Sequence, residues 1–402
     1  MGKKTSFIDG FLFFICFFPY LTIINTPFDT QPYALLIGTI ILVVRFILNP
    51  KIRIPNIIVM YFLIFIYAII HSLLLSDFSH SIRSIMGYMS VPIFMLLAYT
   101  GFKRVNPNLL SWITSIWFAF GFIQTVFLKS FGSQFVSRMS TSVDRGVTSL
   151  AVEPSYYAIM SVFILVFNTL FYSLEEYSKE RYYYIFCITS LQVFFSKSAM
   201  GIMFYIIYLA SLFIFSDNFE KKIKQIILIF FVSIPTILIL ENINLSGSRL
   251  GTLLSKLDLG IANLVLKDGS ISDRLSHILV SFASLFHSGG IGFGLGQWDQ
   301  HAMFISQNSG RIIFEISQVN FTLGRIMSGW GTAIFELGIV GLIFMLGFIY
   351  VIMKRSNSVD RKRRFMIYSI GFTIFILMMT SVPLTYPLFG YFFGMIVKIK
   401  KR

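Results

Sequence analysis

The chain has 402 residues, of which 56% are apolar and 13% charged, with a formal net charge of +15. A soluble domain carries about 25% charge, so these totals exclude an ordinary water-soluble protein and point to an integral membrane protein. They also exclude nucleic-acid binding, because the basic residues fall in small clusters between apolar runs rather than in one groove-sized patch.

Apolar runs fall at 7–25, 33–48, 57–75, 85–101, 109–128, 151–173, 183–197, 199–215, 225–240, 329–352, 365–382 and 384–397. In lipid every backbone polar group must pair internally, so each run is expected to be a helix. The expectation is an all-α, polytopic membrane bundle of about twelve transmembrane helices. No small-x-small cleavage site follows Lys3-Lys4, so the first run is expected to stay as an anchor. Cys16 and Cys187 both lie inside apolar runs and give neither a disulfide framework nor a metal site.

Lys and Arg cluster in alternate connections: Lys3, Lys4; Lys51, Arg53; Lys103, Arg104; Lys179, Arg181; Lys221, Lys222, Lys224; Arg361 to Arg364; and the end of the chain. The positive-inside bias then puts both termini in the cytoplasm and residues 241–327 outside. The layout is nine spans in 1–240, one large, partly helical extracytoplasmic loop in 241–327, and three spans in 328–402, all one integrated domain. Between the seventh and eighth runs, Ser196-Lys197-Ser198 fits either a tight helical hairpin or one broken helix lining a cavity.

Five features carry candidate chemistry. Arg145 and Glu153-Pro154-Ser155-Tyr156 lead into the sixth span. There Pro154 suits the first helical turn, and Glu153 either complements the helix dipole or serves as a carboxylate at a membrane-edge cavity. Ser270 to Gly290 predicts a helix opened by Ser270 and Asp273 and stopped by Gly289-Gly290. Leu275, Ile278, Leu279, Phe282 and Leu285 would form its apolar stripe, and Arg274, His277, Ser281 and Ser284 its polar face. That face is either solvated or presents Arg274 and His277 to an anionic group.

The glycine-rich stretch with Gly292 and Gly294 is either a phosphate-approaching turn or a tight packing turn. Arg249, Arg274, Arg311 and Arg325 on the outer side have the planar fork that matches phosphate oxygens. Glu336-Leu337-Gly338-Ile339-Val340-Gly341 reads as close helix packing through small residues.

Taken together, these stretches resemble the Wzy-type polysaccharide polymerases, the membrane group that also includes the O-antigen ligases. Glu153-Pro154-Ser155-Tyr156 and Glu336-x-Gly338-x-x-Gly341 are the most specific pair. The resemblance implies a bacterial cytoplasmic-membrane glycosyltransferase. Such an enzyme moves a growing glycan from undecaprenyl pyrophosphate onto the non-reducing end of a new lipid-linked repeat unit, at an extracytoplasmic site. It implies no metal or nucleotide cofactor, membrane lipid as surroundings, and a chain-length regulator and a flippase as partners. Catalytic roles would fall to Glu153, Arg145, Arg274 and His277. Substrate contacts would fall to Arg249, Arg311, Arg325, Gly292, Gly294 and Tyr156. Ligases carry a His-Asn pair where this chain reads Met327-Ser328-Gly329-Trp330, which counts against ligase activity. A lipid-linked oligosaccharide flippase is the reading from a different class.

Overall fold

The computed structural model describes residues 6–22, 30–75, 78–136, 139–140, 146–215, 266 and 268–399. Among them the fold is all-helical, with no β-strand and one isolated bridge between Leu21 and Val136. The helices are α1 (Phe7–Cys16), α2 (Tyr33–Leu48), α3 (Asn56–Leu75), α4 (Phe78–Gly101), α5 (Asn108–Val126), α6 (Pro154–Ser173), α7 (Lys179–Phe195) and α8 (Ala199–Ile214). After the long connection come α9 (Gly269–His287), α10 (Trp298–Asn308), α11 (Arg311–Val319), α12 (Gly329–Leu337), α13 (Ile339–Ser356), α14 (Arg361–Thr380) and α15 (Pro387–Lys398). The expected span at 225–240 lies outside the described residues.

Among the described residues six helices, α3 to α6, α13 and α14, are long and apolar enough to cross a membrane; α1, α2, α8 and α15 are shorter and apolar. Large apolar side chains at helical spacing face outward from them. Leu36, Ile40, Val43 and Ile47 do so on α2, and Ile339, Ile343, Leu346 and Tyr350 on α13. Such stripes on the outside suit a hydrocarbon surround.

The core centres on α6, which is apolar all round and buried along almost its whole length. It packs against α5, α7, α8 and α14. Close approach elsewhere depends on small residues: a Cβ at Gly394 of α15 would sit 2.1 Å from the Met95 carbonyl oxygen of α4. At the opposite end from Tyr156, Asp9 of α1 pairs with Arg45 of α2, whose guanidinium also donates to Thr100 of α4 at 2.8 Å. This ties three helices together through one buried charge pair.

Two expectations about spans resolve differently. Ser196 to Ser198 forms a tight turn with Lys197 at φ +43°, and Tyr205 of α8 meets Ser190 of α7 at 2.8 Å, so these helices are a hairpin rather than one broken rod. The run 329–352 is not one span. It breaks at Gly338, where φ is +60°, a backbone conformation that glycine adopts at least cost. Trp330 of α12 packs on Phe344 and Phe348 of α13, and a Cβ at Gly341 would meet the Ala333 carbonyl oxygen at 1.8 Å. The contacts pair residues in reverse order, so α12 folds back antiparallel against α13.

Candidate active site

The site gathers where α4, α6, α12 and α13 begin or end and α14 runs out into the 381–385 turn. Its position starts with Gln124 of α5, whose amide oxygen accepts the N–H groups of Thr148 (3.1 Å) and Ser149 (2.7 Å). That fixes the approach to α6. Glu153 is the N-cap residue in extended conformation, and Pro154 takes the first helical position as expected. Ser155 donates to its carboxylate at 3.4 Å. One residue further on, Tyr156 points its ring at Tyr20 (centroids 5.5 Å apart), and Tyr20 donates to the Tyr386 hydroxyl at 3.1 Å.

Opposite stands an arch of chain, Thr322 to Met327, held at both feet. Asp273 of α9 accepts the Thr322 N–H at 2.6 Å and its hydroxyl at 3.0 Å. The Thr322 carbonyl accepts from Trp298 Nε1 at 3.1 Å and from His277 Nε2 at 3.0 Å, while Met327 N–H donates to His277 Nδ1 at 3.1 Å. Arg325 sits at the crown of this arch and donates to the Tyr156 hydroxyl at 3.3 Å. Burial pulls the Arg325 guanidinium below its usual range, with Tyr20 acting the other way. A partly desolvated cation of this kind favours an anionic partner.

Between α6, the arch and α4 lies a cavity of about 350 Å³. Tyr20, Arg83, Tyr156, Trp298, Arg325 and Glu336 are among its walls. Two guanidinium groups, three aromatic rings and two carboxyls, Glu336 and Asp299, therefore share one space.

Glu336, which the sequence placed only in a helix-packing motif, is a wall of this cavity. Its side chain is only 3% exposed. Oε1 accepts from the Ser84 hydroxyl at 2.6 Å and from the Gly296 N–H at 2.9 Å; Oε2 has no hydrogen bond. The short helix α12 is not among the membrane-crossing helices. Burial pushes the Glu336 carboxyl up to about 7, against the opposing pull of Ser84, the Gly296 N–H and Tyr88.

The other expected residues divide into three groups. Tyr156 and Arg325 line the cavity, and Glu153 and Arg274 adjoin it, both close enough for their charges to act on the Tyr156 phenol. His277 and the glycines build the walls instead. Both His277 nitrogens are taken by backbone partners, leaving none for a substrate. The imidazole is also held below its ordinary pKa, by burial first and by Arg274, against Asp273 and the Thr322 carbonyl.

Gly292 and Gly294 spend their N–H groups on Ser288 Oγ (3.1 Å) and the Glu336 carbonyl (3.2 Å), so they form a packing turn against the break between α12 and α13. Arg311 lies apart: its side chain is 89% exposed and pairs with Glu315 one turn along α11 at 2.6 Å. Arg145 and Arg249 lie outside the described residues.

The helix expected at 270–290 forms, with two corrections. Its cap is Asp268, which accepts the Ser270 and Ile271 N–H groups at 3.1 Å each, because Asp273 is committed to Thr322. Its polar side, with Ser272, Asp273, Ser276, His277, Ser281 and Ser284, is the buried one; the expected apolar stripe is only half-buried, and Phe286 is 87% exposed. In comparisons with known proteins, no family model and no curated protein matches the chain.

Proposed function

We propose that the protein is a membrane glycosyltransferase that polymerises lipid-linked oligosaccharide repeat units. It would draw a growing glycan from undecaprenyl pyrophosphate onto the end of the next unit, at the outer face of a bacterial cytoplasmic membrane. The observation that carries this reading is the cavity that Arg83, Arg325, Tyr156 and Glu336 share. Guanidinium groups match a diphosphate in pairs. Rings of Tyr20, Tyr156 and Trp298 offer flat faces of the kind that line sites for medium-sized ligands. Glycan transfer from a diphosphate needs both: charge stabilisation where the leaving group departs, and shape around the sugars.

The outward apolar stripes support a membrane bundle, the apolar runs of the sequence support about twelve spans, and the Lys and Arg clusters support cytoplasmic termini. The charge distribution supports the cavity opening on the opposite side. A chain-length regulator and a flippase would act beside it. No residue in the arch supplies the histidine that the ligase reading requires at 327–330.

Deleting the gene in its host and sizing the surface glycan tests the reading. Glycan ending after a single repeat unit supports it. Complete loss of surface sugar would indicate a flippase, and full-length lipid-linked chains left unattached would indicate a ligase; either result overturns the proposal.

A further inference from the structure

We propose that Glu336 takes the proton from the incoming sugar hydroxyl during glycan transfer, an assignment that rests on the polymerase reading above. The packing explanation of the Glu336-to-Gly341 stretch covers its glycines and leaves the glutamate over. A Cβ at Gly338 would sit 2.0 Å from the Gly290 carbonyl oxygen and one at Gly341 would meet Ala333, so the glycines alone let α12, α13 and the glycine turn close up. Nothing in that contact needs a carboxyl. A buried polar atom without a partner costs stability, yet Glu336 Oε2 is such an atom, on a side chain that lines the cavity.

The setting fits proton transfer. The carboxyl is fixed in place through Oε1, where Ser84 and Gly296 donate, and Oε2 is buried at the cavity wall without a hydrogen-bond partner among the described residues. Both donors are neutral, and among the described residues no basic side chain forms an ion pair with it. Tyr88, from the same face of α4, donates to the Thr332 carbonyl at 3.5 Å and is close enough to the Glu336 carboxyl to pull against the effect of burial. The charged groups lining the same cavity are Arg83, Asp299 and Arg325. With its carboxyl pushed up to about 7, Glu336 takes and returns a proton near neutral pH, where a general base works best.

In the step itself, the acceptor hydroxyl oxygen bonds to the anomeric carbon of the donor glycan. The bond from that carbon to the diphosphate oxygen breaks, and its electron pair leaves with the diphosphate beside Arg83 and Arg325. The hydroxyl proton passes to Glu336 Oε2 and is later released to water. A full base role is worth about 10²- to 10⁴-fold in rate.

The test uses the full-length protein in lipid nanodiscs with the undecaprenyl-diphosphate glycan that accumulates in deletion cells. Glu336→Gln keeps the shape and the Oε1 acceptor. It is expected to bind the lipid as the wild type does, to lose about 10²-fold or more in elongation rate, and to lose the rise of rate with pH that bends near 7 in the wild type. Glu336→Asp, a shorter base, is expected to recover part of the rate. Independently of turnover, difference infrared spectra across the same pH range should show a carboxylic-acid band that titrates in the wild type and is missing in Glu336→Gln. An active wild type matched by Glu336→Gln in rate and pH profile overturns this assignment alone, as does absence of that band. A wild type that elongates nothing overturns the polymerase reading and this assignment together.

Discussion

Asp273 holds Thr322 by two hydrogen bonds at once, to its N–H at 2.6 Å and to its hydroxyl at 3.0 Å. One carboxylate on α9 thus anchors the near foot of the arch that carries Arg325. Asp273→Asn has one acceptor in place of two, so it is expected to loosen the arch while α9, capped by Asp268, stays folded. Losing a charged hydrogen bond of this kind costs about 1.5–3 kcal/mol. Faster backbone hydrogen exchange confined to 322–327, with elongation reduced, is the expected pattern. Exchange unchanged in that segment would contradict the anchor.

His277 makes the same region sensitive to acid. An unfolded histidine titrates near pH ~6.5, and His277 in the fold sits below its ordinary value because it is buried. The unfolded chain therefore takes up the proton first. Stability is complete above the unfolded value and falls as pH drops through it. Thermal unfolding followed by tryptophan fluorescence should shift downward on acidification, and His277→Gln should flatten that dependence. A melting temperature that is level through this range, or rises on acidification, would rule the account out.

Gly292 cannot become alanine without strain. Its φ is +92°, and an added Cβ would meet the Glu336 carbonyl oxygen at 2.4 Å and the Gly338 nitrogen at 2.6 Å, both backbone atoms that cannot swing away. The conformational part alone is worth about 1–3 kcal/mol. Gly289 has a similar φ of +61° with nothing within 4 Å of an added Cβ. Gly292→Ala is expected to destabilise the fold clearly more than Gly289→Ala in parallel melts. Equal shifts would mean that the glycine turn is not pressed against α12.

The arginines should separate by place rather than by type. Arg325→Ala is expected to reduce elongation about 10²-fold, and Arg325→Lys to recover only part, since a point charge lacks the fork. Arg311→Ala, at an exposed side chain paired with Glu315, is expected to elongate as the wild type does. Equal loss in both would move the anionic site away from the cavity.

Much of this was legible from the chain alone. Apolar runs gave most of the helices, Pro154 marked the start of α6, and Tyr156 and Arg325, both singled out on sequence, line the cavity. Glu336 came forward only in a packing motif, because its partners lie at Ser84 and Gly296, far away in the chain, and no local spacing links them. The turn at Gly338 hid for a related reason: glycine is common inside membrane helices, so a run that folds back on itself reads like one that goes straight through. The facing of α9 inverted because the hydrophobic pattern assumes water outside. Where the surroundings are themselves oily, small polar groups turn toward the protein.

That inverted facing has a practical consequence for anyone hoping to study the segment before α12 by itself. Cut free as residues 268–328, α9 would present Leu275, Ile278, Leu279, Phe282 and Phe286 to buffer, and its serine-lined side would lose α12, against which it packs. An excised fragment of this kind is expected to clump or unravel rather than serve as an antigen or a crystallisation target. Antibodies meant to recognise the native surface are better raised against the whole protein in a bilayer mimic.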